Sequence, residues 1–281
     1  MDRQAARRLF GVPSSTRPRL GRAIGKRRIP AAEEGARVGI SFPSNADQRP
    51  HFRRSADRHA RTTAANGRGR PISPLGSGHL VADLNARLGW LPLCEFVFDA
   101  SRSREYLVAA NWALYCDNYL EGFHIPFVHT ALSAELDYGA YRTELFRYAN
   151  VQIGIARSGE ATFDLPASSP DHGQDVAGYY FWMFPNLMLN FYPWGLSVNI
   201  VKPLAVDRTR VCYLTYVWDA SRLDAGAGLD RVEREDEAIV ETVQRGVRSR
   251  HYDRGRYSPT REQGVHHFHR LLCEFLNDPR P

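Results

Sequence analysis

The stretch NYLEGFHIPFVH, at residues 118–129, contains residue types that bind transition metals. Glu121 lies three residues before His124, and His129 follows five residues after His124. Imidazole nitrogens and carboxylate oxygens are common ligands of iron and zinc. Histidines five positions apart diverge by about 140° on an ideal helix, so a straight helix could not aim both at one ion. Pro126 lies between them, and we expect it to end the helix and let the chain turn His129 back beside His124.

The residues before the first histidine have a helical pattern. If 111–124 is a helix, Asp117, Glu121 and His124 stand at i, i+4 and i+7 and share one face. The neighbouring side chains are largely apolar, which indicates burial. Buried ionisable groups are costly unless they are paired or bind a metal. The pattern therefore predicts a buried ionisable stripe that is paired or binds a metal, with a solvated face as the alternative.

A third ligand is available on a distant helix, expected at 229–250. Asp236 falls near the centre of the apolar stripe, whereas Glu235 lies about 90° away. A carboxylate on the core face should be paired or coordinating. Two imidazoles and one carboxylate match the facial triad of non-haem Fe(II) oxygenases, but zinc also accepts this set with a water, so both metals stay open. The stripe consists of Leu229, Val232, Ile239, Val240, Val243 and Val247.

The order of elements indicates an α+β fold in which helices pack on an antiparallel sheet. REYLVAANWALYCDNYLEGFH has the pattern of a helix. Strands are predicted where β-branched and aromatic residues recur between turn-forming Pro, Gly and Asp residues. A terminal helix is predicted for REQGVHHFHRLLCEFL, where we expect His266, His267 and His269 to pack or hydrogen-bond rather than bind a metal. The predicted strands are VQIGIA, GYYFWMFPNLMLNFY, LSVNIVKPLA and TRVCYLTYVWD.

The basic charge is concentrated at the N-terminus. Residues 1–70 hold 17 Arg and Lys against 5 Asp and Glu, and the remainder holds 20 against 26. Residues 1–80 show no lasting periodicity and little apolar surface to offset ordering entropy, so we expect a disordered extension before a catalytic domain at 81–281. A basic arm for nucleic acid and a transit peptide are the alternatives. Neither interleaved aromatic residues nor a binding motif accompanies the charge, so we expect no nucleic-acid partner.

The composition also indicates the cellular compartment in which we expect the protein. No apolar run is long enough to span a bilayer, and no apolar secretory segment begins the chain. The four cysteines are widely separated, which argues against a zinc ribbon and fits reduced cysteines. We therefore expect a cytoplasmic protein without a membrane partner.

A family resemblance rests on two distant segments in the same order. NWALYCDNYLEGFHIPFVH resembles the iron-binding segment of the alpha subunit of Rieske-type ring-hydroxylating oxygenases. EREDEAIVETVQRG, followed by GVHHFHRLL, is similar to the C-terminal part of the choline-monooxygenase-like branch. The resemblance covers about residues 83–281 and implies a helix-grip (START/Bet v1-like) catalytic domain.

The resemblance also implies roles for individual residues. His124, His129 and Asp236 would bind mononuclear Fe(2+). Glu121 would be the carboxylate that links the iron to a Rieske cluster on a neighbouring subunit, and Asn118 would lie near the iron. We expect Glu121 and Asp117 to orient ligands and relay electrons.

The expected activity is that of an oxidoreductase. A mono- or dioxygenase of this kind would hydroxylate or demethylate an aromatic or quaternary ammonium substrate with O2. The expected partners are a reductase or ferredoxin, or a separate Rieske protein, and the family implies a homotrimer.

The sequence departs from the family in one respect. It contains no C-x-H and C-x2-H pair, the pattern that holds a Rieske [2Fe–2S] cluster, so we expect no [2Fe–2S] cluster in this chain. The alternative function is therefore a non-catalytic or inactive, truncated helix-grip domain that binds a ligand.

Overall fold

A computed structural model describes residues 77–223 and 229–277, so nearly all of the basic extension lies outside the described residues. Within them, seven antiparallel strands form one sheet in the order β1-β7-β6-β5-β4-β3-β2. The strands are β1 (Val97–Val108), β2 (Arg142–Leu145), β3 (Ala149–Ile155), β4 (Val176–Met183), β5 (Leu187–Tyr192), β6 (Gly195–Ala205) and β7 (Arg208–Val217).

Helices are placed before, between and after the strands, and they cover both faces of the sheet. None of the helices among the described residues combines the length and apolar character needed to cross a bilayer. The helices are α1 (Ser77–Leu88), α2 (Trp112–Leu120), α3 (Ile125–Val128), α4 (Thr130–Glu135), α5 (Leu229–Val247) and α6 (Gln263–Asn277).

The alternation of side chains along the strands divides the core between the two faces of the sheet. On one face, Trp182 and its cross-strand partner Met188 pack with residues of α2, α5 and α6. On the other face, Phe181 and its partner Leu189 pack with α1. Each fully buried apolar side chain of this size contributes about 1.5–3 kcal/mol. The first face of the sheet thus carries α2, α5 and α6, and the second face carries α1.

The α+β class is confirmed, and β3 to β7 lie where the β-rich segments predict strands. Two details differ. Residues 104–108, expected to begin a helix, form the end of β1, which pairs with β7. The short strand β2 has no counterpart in the sequence prediction and pairs with β3.

The expected domain boundary at residue 80 falls inside α1. Leu84 and Leu88 of this helix are buried against the second face of the sheet, so the helix belongs to the packed body described here. The terminal helix is present as predicted, at α6.

Candidate metal centre

The chain between α2 and α4 positions both histidines. The side chain of Asn111 caps α2 by accepting a hydrogen bond from the amide of Ala113 at 3.0 Å. The helix ends at Leu120, and Glu121 has an extended backbone. The prediction of one helix over 111–124 is therefore wrong, and Asp117, Glu121 and His124 do not share a helical face.

Pro126 also acts differently from the prediction. It lies in the first turn of α3, a position that suits proline because its missing amide hydrogen would have no partner there. His124 and His129 flank this single turn, which brings their ring centroids to 4.9 Å at an interplanar angle of 78°. The expected outcome, His129 beside His124, is reached through a new short helix rather than through the end of a long one.

Three potential ligand atoms converge. The Nε2 atoms of His124 and His129 are 3.0 Å apart. Oδ1 of Asp236, from α5, lies 3.0 Å from Nε2 of His129 and 3.4 Å from Nε2 of His124. For ligands about 2.1 Å from an ion, atoms at right angles lie about 3.0 Å apart and atoms at the tetrahedral angle about 3.4 Å apart. The three separations thus fit one ion that retains open coordination positions.

Two carboxylates orient the imidazoles. Nδ1 of His124 lies 2.6 Å from Oε1 of Glu121, and Nδ1 of His129 lies 2.9 Å from Oε2 of Glu235. A hydrogen bond at Nδ1 directs the lone pair of Nε2 towards the common centre, as in carboxylate–histidine–metal groups. The donor set and its supports therefore fit a divalent metal.

Glu121 and Glu235 are themselves fixed. One oxygen of Glu121 accepts from the amides of Phe123 and His124, the latter at 3.1 Å. Oε1 of Glu235 accepts from Arg231 at 2.9 Å. Each imidazole is thus held by a carboxylate that has further hydrogen-bond donors.

Asn118 contacts the third ligand directly. Its Nδ2 donates to Oδ1 of Asp236 at 2.6 Å, so the amide is in contact with a ligand atom. Asp117, by contrast, lies 2.8 Å from Nε2 of His269, and no hydrogen bond among the described residues joins it to the two histidines or to Asp236. His269 also contacts the hydroxyl of Tyr257 at 2.5 Å, which agrees with the expectation that it hydrogen-bonds.

The charges of the cluster depend on one another. Burial alone would lower the pKa of His124, but its hydrogen bonds to Asp236 and Glu121 outweigh burial and raise the pKa to about 9. Burial alone would raise the pKa of Asp236, but its hydrogen bonds to His124 and His129 hold the pKa below its usual range. Protons and metal ions compete for the same lone pairs, so an ion bound by His124 would displace a proton, whereas the lowered pKa of Asp236 keeps its carboxylate ionised and available to an ion.

A cavity opens beside the candidate ligand atoms, between α5 and the sheet face that carries α2, α5 and α6. Its wall is rich in aromatic residues. The stacked rings of Tyr192 and Trp194 have centroids 5.3 Å apart, and Tyr180 meets Tyr192 edge-on at 5.9 Å. Phe181 and Phe191 instead fill the core on the opposite face, so alternate strand residues line the cavity and the core. The wall includes Tyr115, Tyr119, Tyr141, Tyr180, Tyr192, Trp194 and Tyr213.

The sequence pattern does not select Glu235 or Glu233. The helical angle places Glu235 off the apolar stripe of α5, yet its long side chain reaches His129. Glu233 lies one turn before Asp236 and lines the cavity. The stripe itself is less regular than predicted, because Val240 is buried whereas Val243 is 42% exposed.

The candidate metal centre lies within a segment that matches a known protein family. Residues 96–278 match the family described as ring hydroxylating alpha subunit (catalytic domain). Choline monooxygenase, chloroplastic, of Arabidopsis thaliana is 38% identical over 180 residues, which are 60% of this chain and 40% of that protein. The carnitine monooxygenase oxygenase subunit of Escherichia coli K12 is 29% identical and covers 67% of this chain and 53% of its own.

Solved structures share the fold. A quaternary ammonium Rieske monooxygenase in complex with an inhibitor aligns with a TM-score of 0.54 and 23% identity, over 71% of this chain and 56% of that chain. The present chain thus spans about half the length of the relatives it matches. The match over residues 96–278 establishes that the chain belongs to the family of ring-hydroxylating alpha subunits and contains its catalytic domain.

Proposed function

We propose that this domain is a mononuclear non-haem iron oxygenase that hydroxylates or demethylates a quaternary ammonium compound. The observation that carries the proposal is the convergence of His124 Nε2, His129 Nε2 and Asp236 Oδ1 beside an aromatic cavity. The curated relatives named above are a choline and a carnitine monooxygenase. Between the two metals that the ligands alone leave open, iron is the one that suits an oxygenase.

The three ligands would hold Fe(2+), which when bound supplies the redox chemistry that activates O2. Other side chains of this chain would position the ligands and bind the substrate. Asn118 keeps Oδ1 of Asp236 in place through its 2.6 Å hydrogen bond, and Glu235 keeps the ring of His129 in the tautomer that leaves Nε2 free. The aromatic wall excludes water and offers ring faces to a cation, an interaction worth about 2 kcal/mol when desolvated.

Electrons must come from outside the groups identified here. We propose that they arrive from a Rieske cluster carried by another subunit or a separate protein, supplied by a reductase or ferredoxin. Glu121 is the proposed contact point, because its carboxylate touches Nδ1 of His124 at 2.6 Å and is itself 16% exposed. Asp117 is proposed as an auxiliary residue, acting through Asn118 next to it. A homotrimer would place such a cluster opposite Glu121.

An aromatic substrate, the other class expected from sequence, is less suited to this cavity because carboxylates accompany the rings. Glu121 and Asp236 are paired with the histidines, but Glu233 lines the wall without a hydrogen-bonded partner among the described residues, and its negative charge when ionised favours a cationic ligand.

The proposal is tested without the electron donor by using hydrogen peroxide, which carries both an oxygen atom and the two electrons otherwise supplied by the donor. The full chain, loaded anaerobically with Fe(II), is mixed with choline and peroxide, and the products are measured by mass spectrometry. We expect oxidation of choline to its aldehyde with release of water, and loss of this product in His124→Ala. An iron-loaded wild type that binds choline but yields no product would contradict catalysis and favour a ligand-binding domain.

A further inference from the structure

The carboxyl groups that line the cavity beside the metal centre are not balanced by Lys or Arg side chains. Five carboxylates line it, and none of the lining residues in the described part of the chain is Lys or Arg. Three of the carboxylates are engaged, either with the histidines, as for Glu121 and Asp236, or with another group, as for Glu135. Glu160 is exposed to solvent. Glu233 is half-buried, and no hydrogen bond or ion pair joins it to another described residue.

Glu233 lines the same cavity as the aromatic residues. Tyr115, Tyr192 and Tyr213 have pKa values raised mainly by burial, and the negative charge of Glu233 is a further cause for all three. The hydroxyls of Tyr115 and Tyr213 contact each other, and the ring of Tyr192 stacks on Trp194. A carboxyl group with no hydrogen bond or ion pair among the described residues thus lines the same cavity as several aromatic rings.

This combination recognises a cation that cannot lose its charge. Ring faces attract a quaternary ammonium group, and a nearby carboxylate adds the counter-charge without any proton transfer. Burial, followed by the charges of Asp230, Glu237 and Asp236, raises the pKa of Glu233 to about 8, against a smaller opposing effect of Arg104. A fixed cation would favour the ionised carboxylate and relieve the cost of its burial.

The sheet side of the cavity is polar but neutral. Gln152 stands on β3, Asn190 on β5 and Ser197 on β6, and Ser197 donates to Asn199 at 2.9 Å. Gln152 is 2% exposed, and its Oε1 has no hydrogen-bond partner among the described residues. These groups can donate to or accept from a hydroxyl group. A ligand carboxylate would find no Lys or Arg side chain in the described wall and would share the cavity with five carboxyl groups of the protein.

We propose that Glu233 is a specificity-determining residue, which makes the cavity select a quaternary ammonium group bearing a neutral hydroxyl tail over a zwitterion that carries its own carboxylate. The inference rests on the proposed function, since it names the substrate class of that same site. Glu233 acts as the counter-charge of the ammonium group, and the neutral amides and hydroxyl of the sheet receive the tail.

The test is calorimetric binding to the full chain loaded anaerobically with Fe(II). Three ligands are compared: choline, its neutral isostere in which carbon replaces nitrogen, and L-carnitine. We expect wild type to bind choline at least about tenfold more tightly than either of the others, and Glu233→Gln to lose most of this preference. The matched control is Glu237→Gln, the same change one turn further along α5, outside the cavity wall, which should keep the preference.

Equal binding of choline and carnitine by wild type, failure of choline to bind, or an unchanged preference in Glu233→Gln would overturn the proposal. The comparison of the three ligands uses wild type, so it tests the preference for a cation without a carboxylate even if Glu233→Gln does not fold. Iron content and peroxide-driven product are measured on the same samples. Selective binding of choline without product would overturn the proposed catalysis but support the proposed selectivity. Product without selective binding would support the catalysis but overturn the selectivity.

Discussion

Removing the carboxylate of Glu235 should weaken metal binding although Glu235 is not a ligand. Its Oε2 lies 2.9 Å from Nδ1 of His129, whose side chain is only 1% exposed, so water cannot easily replace it. Loss of such a partner costs about 10- to 100-fold in metal affinity, or about 1.4–2.7 kcal/mol. Charge-assisted hydrogen bonds are about twice as strong as neutral ones, and glutamine can still make a neutral hydrogen bond to His129. The loss of metal affinity should therefore be about 10-fold in Glu235→Gln and about 100-fold in Glu235→Ala.

The assay is an anaerobic Fe(II) titration of the full chain in competition with a chelator. Glu237→Gln serves as the control, because Glu237 lies on the same helix and makes no hydrogen bond with either histidine among the described contacts. An affinity of Glu235→Ala within twofold of wild type would refute the claim that this carboxylate orients His129.

Two further predictions concern the framework. Arg87→Ala removes two hydrogen bonds, of 2.9 and 2.7 Å, from the buried carboxylate of Asp171, and because Arg142 remains, urea unfolding should show a loss of about 2–3 kcal/mol. Gly264→Ala would place a Cβ 2.7 Å from the carbonyl oxygen of Leu120, at the end of α2, and should cost about 1–3 kcal/mol in the same assay.

Each of these changes has a matched control. Arg102→Ala breaks an exposed pair with Asp99 and should change stability by less than about 1 kcal/mol. Gly246→Ala, in α5, meets no atom within 4 Å and should be neutral or stabilising by up to about 1 kcal/mol. Equal effects of Arg87→Ala and Arg102→Ala, or of the two glycine variants, would contradict the packing described here.

Much of the architecture follows from local pattern. The strands β3 to β7 are predictable because β-branched and aromatic residues alternate between turn residues, and α5 and α6 because their apolar faces recur with helical period. The end of β1 is not, since REYLV runs without a turn signal into the helical sequence of α2. Its strand conformation depends on pairing with β7, which is a tertiary effect.

The candidate metal ligands are predictable because their chemistry restricts the choices, but their local geometry is not. Residue type and the position of Asp236 on a core face select the three ligands. The helix expected over 111–124 breaks at Leu120 because Glu121 turns to accept hydrogen bonds from the amides of Phe123 and His124. A hydrogen bond between a side chain and nearby backbone amides does not alter the hydrophobic periodicity, so the sequence pattern does not predict where the helix ends.

The supporting carboxylates are the least predictable part of the centre. Periodicity locates a backbone face, whereas Glu235 reaches His129 with a long side chain whose direction is set by Arg231 at 2.9 Å. Glu233 is recognisable only once the sheet supplies the opposing tyrosines from β5 and β7. Contacts made across the fold therefore complete a centre whose ligands are visible in the sequence.

The most direct test is the iron content per chain after anaerobic Fe(II) reconstitution and removal of loosely bound metal. Wild type, His124→Ala and the control His251→Ala, which alters an exposed histidine outside the centre, are compared. We predict about one iron per chain in wild type and His251→Ala and little in His124→Ala. Wild-type iron content in His124→Ala, or no iron in wild type, would contradict a metal centre formed by His124, His129 and Asp236.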